Sequence, residues 1–410
     1  MHINRKPLLR CFIAAAYLLP IFSSTPPDSI GCQWDYLIWM PRSEQADPLY
    51  RFVRNGKAGY IDRSGKVVIE PKFEFFGNRG GEFRDGLMDI SDGEGKYVDT
   101  TGKRVIDKGF YLGRDFSEGL AVAMRKDGEK WGYIDRRGEF VISPRFETYH
   151  EGSVNSFSDG LAAIEVLNQY GYINHSGDFV IRPAFLHGSD FHDGMARVVV
   201  EGPCRYSSDR PCPEVRTIPK GAAEDAPACK YTFIDKSGSV ITGERYDGAM
   251  DFSEGFAPVR TGEKWGFIDK KGRMAIKPQF DKADRFSDGL ASIQQNGLYG
   301  YIDHTGAIVI TPQYKSAEPF SEGLAVVGGR NDKEAGYDEY YYINKQGEQA
   351  IPEKFDLASH FFKGLAHVKI KSITEKIIDF SYAKGSYAYI DVTGKKVFSY
   401  TNERLALKPQ

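Results

Sequence analysis

The sequence predicts an all-β protein: an array of about nine three-stranded antiparallel meander repeats, in a β-propeller-like or β-solenoid arrangement. Three observations lead to this fold class. A six-residue phrase recurs nine times, two further phrases recur between its copies, and the 410 residues include 44 Gly, 24 Tyr and 27 Phe. Short strands joined by tight turns use these residue types, whereas helical proteins favour Ala, Leu, Glu and Lys.

The first phrase consists of an aromatic residue, an aliphatic residue, Asp or Asn, two variable residues and Gly. The spacing of its copies sets a basic unit of about 34 to 36 residues, and some units carry insertions. The copies begin at Tyr60, Tyr97, Tyr133, Tyr172, Phe233, Phe267, Tyr301, Tyr342 and Tyr389.

Two other phrases keep a fixed order relative to the first. The second phrase reads FSEGLA in its strongest form, and its eight copies begin at Phe83, Phe116, Phe157, Phe191, Phe252, Phe286, Phe320 and Phe361. The third phrase has aliphatic residues, a Pro and an aromatic residue, and clear copies end at Phe73, Phe146, Phe280 and Tyr314. Three phrases in fixed order indicate one supersecondary unit copied in series.

Residues 120–146 illustrate one unit. Residues 120–124 are apolar, 130–135 form a second strand after a turn, and 140–142 form a third strand that Pro144 ends by removing a ladder donor. The Asp of the first phrase accepts hydrogen bonds from turn amides, and its Gly supplies a positive φ. Each unit is therefore predicted to be a three-stranded antiparallel meander.

Such a small sheet cannot bury a face alone, so neighbouring units must pack on each other. Residues 49–53 provide an opening strand for the first unit, which gives nine whole units. Propellers usually have four to eight blades, so nine units leave both a closed ring and an open stack as alternatives.

The phrases resemble those of the WG-repeat family, also called KWG repeats, which occurs in many bacterial proteins. The naming residues are Lys130-Trp131-Gly132 and Lys264-Trp265-Gly266. The resemblance covers about residues 48–400, although four copies of the first phrase lack the preceding Gly. It implies a bacterial repeat protein, usually of unassigned biochemical role, and no catalytic residues.

The N-terminus is typical of an export signal. Basic residues precede a mostly apolar run over residues 11–22, which Pro20 interrupts and which is too short to span a bilayer of about 30 Å comfortably. We predict a signal peptide over 1–31, a linker over 32–47, the repeat array over 48–400 and a C-terminal tail over 401–410. The protein would be exported, periplasmic or extracellular, with no membrane span in the mature chain. Cleavage after Gly31 would expose Cys32 to lipidation, although Ser29 stands where a lipobox normally has Leu.

The largest insertion, residues 201–230, is rich in Pro, Ala and charge. It contains Cys204, Cys212 and Cys229, and in an exported protein these and Cys32 are candidates for structural disulfides. Four cysteines allow three full pairings, and the sequence does not choose among them. No zinc-ligand spacing is present, so we expect no metal.

Four aromatic residues share the column that precedes the Gly of the WG pair: Trp131, Trp265, Tyr170 and Tyr299. One interpretation is packing between units. The functional interpretation is a ligand-binding ladder of aromatic faces for sugar rings or peptides, since repeat arrays present extended surfaces.

Several classes of function are disfavoured. The prominent acids recur in columns, which indicates a role in the unit and not in catalysis, and no nucleophile elbow, phosphate-binding loop or HExxH motif is present. The net charge of −2 argues against nucleic acid, and no cofactor is expected.

The sequence therefore predicts a non-catalytic binding or scaffolding module for a protein or glycan of the cell envelope. The alternatives are a glycan hydrolase or lyase on a propeller-like fold, and a purely structural envelope spacer. Acids, His or Arg outside the repeat columns, gathered in one deep cavity, would favour the enzyme, whereas a broad shallow surface would favour binding.

Overall fold

The computed structural model describes residues 48–74, 81–90, 96–107, 110–125, 128, 130–147, 153–201, 229–328, 339–370 and 385–402. These residues lie within one compact unit of the chain, Pro41–Gln410. They form strands and turns without a helix, so the all-β prediction is confirmed. No helix in this described part is long and apolar enough to cross a membrane. The predicted signal peptide and linker lie outside the described residues.

The strands group into nine units, numbered along the chain. Units 1 to 3 contain β1 (Tyr50–Arg54), β2 (Lys57–Ile61), β3 (Val67–Glu74); β4 (Leu87–Asp89), β5 (Tyr97–Asp99), β6 (Arg104–Ile106); β7 (Phe110–Gly113), β8 (Ala121–Arg125), β9 (Lys130–Ile134) and β10 (Phe140–Glu147). Units 4 to 6 contain β11 (Ala162–Val166), β12 (Gln169–Ile173), β13 (Phe179–Phe185); β14 (His187–Gly188), β15 (Met195–Glu201), β16 (Lys230–Asp235); β17 (Gly248–Ala249), β18 (Phe256–Thr261), β19 (Lys264–Asp269) and β20 (Met274–Phe280). Units 7 to 9 contain β21 (Lys282–Ala283), β22 (Ala291–Gln295), β23 (Leu298–Ile302), β24 (Ile308–Tyr314); β25 (Ser316–Ala317), β26 (Leu324–Gly328), β27 (Tyr340–Asn344); β28 (Phe355–Ala358), β29 (Leu365–Ile370), β30 (Gly385–Asp391) and β31 (Lys396–Asn402).

Every unit is an antiparallel meander around one central hairpin. In unit 7 the strand order is β21-β22-β23-β24, with Ala291 opposite Ile302 and Gln295 opposite Leu298. Units 3, 6, 7 and 9 have four strands where the sequence predicted three, because the short segment before the second phrase pairs with the following strand. Units 8 and 9 join in one seven-stranded sheet, since Tyr340 pairs with Phe355.

The Asp of the first phrase builds the turn as predicted. In unit 1 the Asp62 Oδ1 accepts hydrogen bonds from the backbone N–H of Ser64 at 2.9 Å and of Lys66 at 3.1 Å. Gly65 completes the turn with a φ of 85°. The hydrogen bond from the Ser64 hydroxyl is the main cause that lowers the pKa of Asp62, so this carboxylate is committed to local structure.

The WG glycine and the proline of the third phrase both result from a bulge in the outer strand of the unit. In unit 6 the outer strand bulges between Ile276 and Phe280, and a Cβ on Gly266 would lie 2.6 Å from the Pro278 nitrogen. In unit 9 the position of the glycine is Ala388, which pairs with Ser399 in unbroken register. A side chain therefore fits this position where the outer strand does not bulge.

The hydrophobic core lies between neighbouring sheets. One cluster joins Trp131 and Tyr133 of unit 3 to Val154, Phe157 and other residues of unit 4. Each Tyr of the first phrase also donates its hydroxyl proton to a backbone carbonyl oxygen of the following unit, as Tyr301 does to Glu318 at 2.7 Å. The same bond is made by Tyr60, Tyr97, Tyr133, Tyr172 and Tyr342.

The last unit packs on the first, so the array closes on itself. The Tyr389 hydroxyl of unit 9 donates to the Arg51 carbonyl oxygen of unit 1 at 2.5 Å, which is the inter-unit bond repeated across the ends of the array. Tyr50 and Phe52 of unit 1 share a core cluster with Tyr387, Tyr389 and other residues of unit 9. The structure thus favours the ring over the open stack, and β31 continues to Asn402, two residues past the predicted end of the array.

Candidate functional site

The acids of the second phrase bind the neighbouring unit. Glu118 and its equivalents adopt a left-handed φ near 50°, which turns the carboxylate toward the next unit. In each case a carboxylate oxygen accepts the N–H of the phrase glycine one unit further on, as Asp288 does from Gly323 at 2.6 Å. The other acceptors are Asp85, Glu118, Asp159, Asp193, Glu254 and Glu322. We call these bonds the acid belt.

Two further contacts reinforce the belt. The Ser287 hydroxyl donates to the Phe320 carbonyl oxygen of the next unit at 2.7 Å, and four other second-phrase serines do the same. The residue after the Asp of the first phrase often pairs with the belt acid of the preceding unit. Lys270 lies 2.6 Å from Asp193, and Lys345 lies 2.8 Å from Asp288. His175 and His304 occupy the same position beside Glu118 and Glu254.

The four aromatic residues proposed as a ligand ladder lie in or against the inter-unit cores. Trp131, Trp265 and Tyr170 are 6%, 3% and 2% exposed, and Tyr299 is half-buried against the core that contains Tyr301. Guanidinium groups cover two of the rings, with Arg114 5.4 Å from Trp131 and Arg260 6.0 Å from Trp265. This burial fits the packing interpretation, because a stacking platform needs an open face.

The cysteine predictions fall largely outside the described residues. Cys229 is partly buried just before β16, whereas Cys32, Cys204 and Cys212 are not described. The disulfide pairing therefore stays a prediction. The ends of the insertion are ordinary strand residues, since Glu201 pairs with Lys230.

A polar cluster lies at the second phrases of units 4, 5 and 6. We call it the inner cluster, and its members are Asn155, Asp190, His192, Arg197 and Asp251. The Asn155 Nδ2 donates to Asp190 Oδ1 at 2.8 Å, and the Arg197 Nε lies 3.5 Å from Asp251 Oδ1. The Arg197 Nη1 also donates to the Ala249 carbonyl oxygen at 2.6 Å, which holds the guanidinium across the seam between units 5 and 6.

The position of the cluster follows from its electrostatic neighbours. Arg114 of unit 3 acts on Asp190 of unit 5, although these units are not adjacent. Asp115 of unit 3 likewise acts on Tyr60 of unit 1. Groups from non-adjacent units of a ring come close only toward its axis, so we infer that these side chains face the axis, at what we call the inner rim.

The two carboxyls of the inner cluster have opposite pKa shifts. Burial raises the pKa of Asp190 and outweighs the lowering effects of His192 and the hydrogen bond from Asn155. Burial also opposes ionisation of Asp251, but the charges of Arg197, His192 and Arg285 lower the pKa of Asp251 overall. At neutral pH, Asp251 is thus the more firmly ionised of the two.

Asp251 carries an unused acceptor. Its buried Oδ1 has no hydrogen-bond partner within the described part of the chain, since Arg197 approaches it only at ion-pair distance. The Asp251 side chain is 18% exposed at the rim, whereas its Oδ1 is buried. A buried polar atom without a partner is costly, and functional sites are where such costs are retained.

A second rim carboxyl is unusual as well. Burial raises the pKa of Asp115 to about 6, against an opposing effect of Arg84 and with a further rise from Glu82. The structure describes no group of three His, Cys, Asp or Glu side chains able to hold a metal ion.

Sequence reasoning missed the inner cluster. Asp115, Asp190 and Asp251 each stand directly before the Phe of a second phrase, a position that is Glu82, Ser156, Arg285, Pro319 or His360 in other units. Variation beside an almost constant phrase was the available signal.

The closed series of small antiparallel sheets defines a propeller-like repeat protein. A family model described as "WG containing repeat" matches residues 59–87, 131–169, 170–202, 231–265, 265–299, 299–328 and 342–372, more than half of the chain. The chain belongs to the WG-repeat family. No curated protein matches the sequence.

A solved structure shares the fold at low sequence identity. A crystal structure of a eukaryotic initiation factor is similar at 11% identity with a TM-score of 0.58, covering 87% of this chain and 96% of that chain. Looser similarities are to the dihydro-heme d1 dehydrogenase NirN, with 12% identity, coverage of 87% and 74% and a TM-score of 0.41, and to AztD from Citrobacter koseri, with 11% identity, coverage of 78% and 92% and a TM-score of 0.38. At these identities the likeness concerns the fold alone.

Proposed function

We propose that this protein is an exported, non-catalytic binding module that holds a protein or glycan of the cell envelope at its inner rim. The observation that carries the proposal is the Asp251 Oδ1, a buried acceptor without a hydrogen-bond partner among the described residues, beside Arg197 and Asp190. A carboxylate and a guanidinium at one rim offer an acceptor and donors to sugar hydroxyls or to peptide groups.

The roles of the repeated acids support a non-catalytic function. The turn acids such as Asp62 accept local backbone N–H groups, and the belt acids such as Asp288 accept the N–H of the next unit. In both columns a carboxylate oxygen thus serves the fold. The acids that differ between units lie at the inner rim, where a ligand would meet them.

A binding comparison tests this proposal. The Asp190→Asn, Asp251→Asn double variant keeps the side-chain volumes and removes both charges, while Glu263→Gln changes an exposed acid in the hairpin between β18 and β19. We expect the wild-type array and the Glu263→Gln control to enrich the same protein or glycan from an envelope extract and on a glycan array. The double variant should bind at least tenfold more weakly. Equal binding by all three proteins would overturn the proposal.

Export is part of the same proposal and rests on the N-terminal sequence. Expression with the native N-terminus, followed by fractionation and mass analysis, should yield a mature chain outside the cytoplasm that begins at Cys32 or follows an earlier cut near Ser23 or Ser24. An added diacylglycerol mass would identify a lipid anchor at Cys32, and protection of Cys204, Cys212 and Cys229 from alkylation would support structural disulfides. An uncleaved cytoplasmic chain would refute export.

One observation favours a second candidate, a glycan hydrolase or lyase. Asp190 has a raised pKa while the neighbouring Asp251 has a lowered one, and two carboxyls whose pKa values are pushed apart suit a general acid and its partner. Incubation with envelope glycans decides between the candidates. Turnover by the wild type that Asp190→Asn abolishes would replace the binding proposal with the enzyme.

A further inference from the structure

The seam between unit 9 and unit 1, here called the closing seam, lacks the acid belt. By strand register, Tyr50 corresponds to Ala121, since each is opposite the Ile of its first phrase. Pro48 therefore stands at the position of the belt glycine, and proline has no N–H to donate. On the other side of the seam the belt acid is replaced by Lys363, which keeps the left-handed φ of 48°. Donor and acceptor have both been lost at one seam.

The cation that normally faces the belt acid is nevertheless present. Arg63 follows the Asp of the first phrase, the position from which Lys270 and Lys345 reach their belt acids at 2.6 and 2.8 Å. The Arg63 guanidinium lies against Gly364, where an added Cβ would meet it at 2.5 Å. Arg63 is thus beside the backbone of Lys363, and within the described ranges neither cation has an acid at ion-pair distance.

The surroundings of Arg63 and Lys363 are exposed to solvent, and the backbone beneath the two cations is held in place. Arg63 and Lys363 are both exposed, and the adjacent Phe362 ring is 41% exposed with the Lys363 ammonium 5.8 Å from its centroid. The Tyr50 hydroxyl contacts the carbonyl oxygens of Phe362 and Lys363 at 3.2 and 2.8 Å, which holds the backbone under the cations. The closing seam presents two cations and an apolar ring on a rigid support.

We infer that the closing seam binds an acidic segment of a protein partner, with one Asp or Glu carboxylate between Arg63 and Lys363 and an apolar neighbour against Phe362. The ligand chemistry is read from the protein itself, because at seven other seams an Asp or Glu carboxylate occupies the belt position. A guanidinium suits a carboxylate because its N–H groups match both oxygens. The site is independent of the inner cluster.

The probe is a fluorescently labelled, N-acetylated hexapeptide with two Asp and two Leu residues, and its control has Asn at the Asp positions. We expect the full mature protein to bind the acidic peptide, to lose affinity as salt increases, and to bind the Asn peptide at least tenfold more weakly. Arg63→Gln with Lys363→Gln should reduce affinity at least tenfold. Lys277→Gln, which removes one exposed charge from β20, should bind normally.

A third variant separates binding from folding. Lys363→Glu restores the acid found at other seams and gives Arg63 a partner within the chain, so peptide binding should disappear while thermal stability is kept or increased. Binding that survives Lys363→Glu or the double Gln variant would overturn the inference. So would tighter binding of an oligouronate than of the peptide, or binding that appears only after Asp47→Asn, which would mean that the chain fills the site itself.

Discussion

Replacing Tyr389 with Phe tests whether the ring is closed. The substitution removes one hydroxyl from unit 9 and leaves the Arg51 carbonyl oxygen of unit 1 without the donor that lies 2.5 Å away. The ring of the side chain is kept, and Phe233 and Phe267 occupy the same column naturally. Tyr301→Phe is the matched control, because it removes the same bond between units 7 and 8, at 2.7 Å from Glu318.

The expected loss in the free energy of unfolding follows from the loss of a hydrogen bond to a largely buried acceptor. The bond itself contributes about 1 kcal/mol, and an unsatisfied buried carbonyl raises the total to about 1–2 kcal/mol. Unfolding entropy of about 2.1 cal/mol/K per residue converts 1 kcal/mol into a fall of about 1–2 °C in Tm for an array that runs from β1 to β31. We expect both variants to lower the Tm by about 1–3 °C.

Thermal and urea denaturation of the two variants, measured beside the wild type at one pH, provide the assay. In a closed ring Tyr389→Phe and Tyr301→Phe lower the free energy of unfolding by similar amounts. In an open stack the ends do not meet, so Tyr389→Phe would be neutral while Tyr301→Phe is not. That second pattern would refute the closure that we describe.

Four further substitutions test local arguments. Gly266→Ala should lower the free energy of unfolding in urea by more than about 3 kcal/mol, because its Cβ meets the bulged outer strand, whereas Ala388→Gly should cost only about 1 kcal/mol. Asp115→Asn should raise the free energy of unfolding at pH 7 by up to about 3 kcal/mol, because the pKa of Asp115 is raised to about 6 and the ionised form is disfavoured in the fold; this gain should vanish as the pH falls from 6 to 4. Burial and Arg51 lower the pKa of His367 to about 4, so the unfolded chain binds more protons between pH 6.5 and 4 and the fold loses up to about 3 kcal/mol there. Denaturation of His367→Gln over that pH range should show a flatter pH dependence, and an unchanged slope would contradict the assignment.

The sequence was sufficient to predict the repeat unit but not the candidate functional site. Tyr133, Asp135 and Gly138 could be assigned to a strand and its turn because each performs a local task that recurs in every unit. In the sequence, the WG glycine and the proline phrase are two separate patterns. What links them is the bulge in the outer strand, which brings the backbones of the two strands together.

The inner cluster could not be predicted because the residue type directly before the second phrase varies between units. Asp190 and Asp251 are 61 residues apart in the sequence and meet at the rim only after units 5 and 6 have packed on each other. The aromatic column was a candidate ligand site because it repeats in several units. Such repetition indicates packing between units, as the burial of Trp265 illustrates. In this fold the functional candidates are the residues that interrupt a column.

The closing seam joins two distant parts of the chain, and this explains why its contacts are mainly aromatic. At every other seam the chain runs from one unit directly into the next, so covalent continuity sets the register that a short carboxylate to N–H bond requires. Units 9 and 1 have no such link, and Tyr389 reaches Arg51 across 338 positions of sequence. Ring contacts such as those of Phe52 with Phe398 at 4.9 Å and of Tyr50 with Tyr389 at 5.5 Å tolerate small shifts in position, because burial of apolar area depends weakly on angle. A seam that must form between distant parts of the chain is therefore better stabilised by apolar burial than by the acid belt, and this leaves Arg63 and Lys363 available for another role.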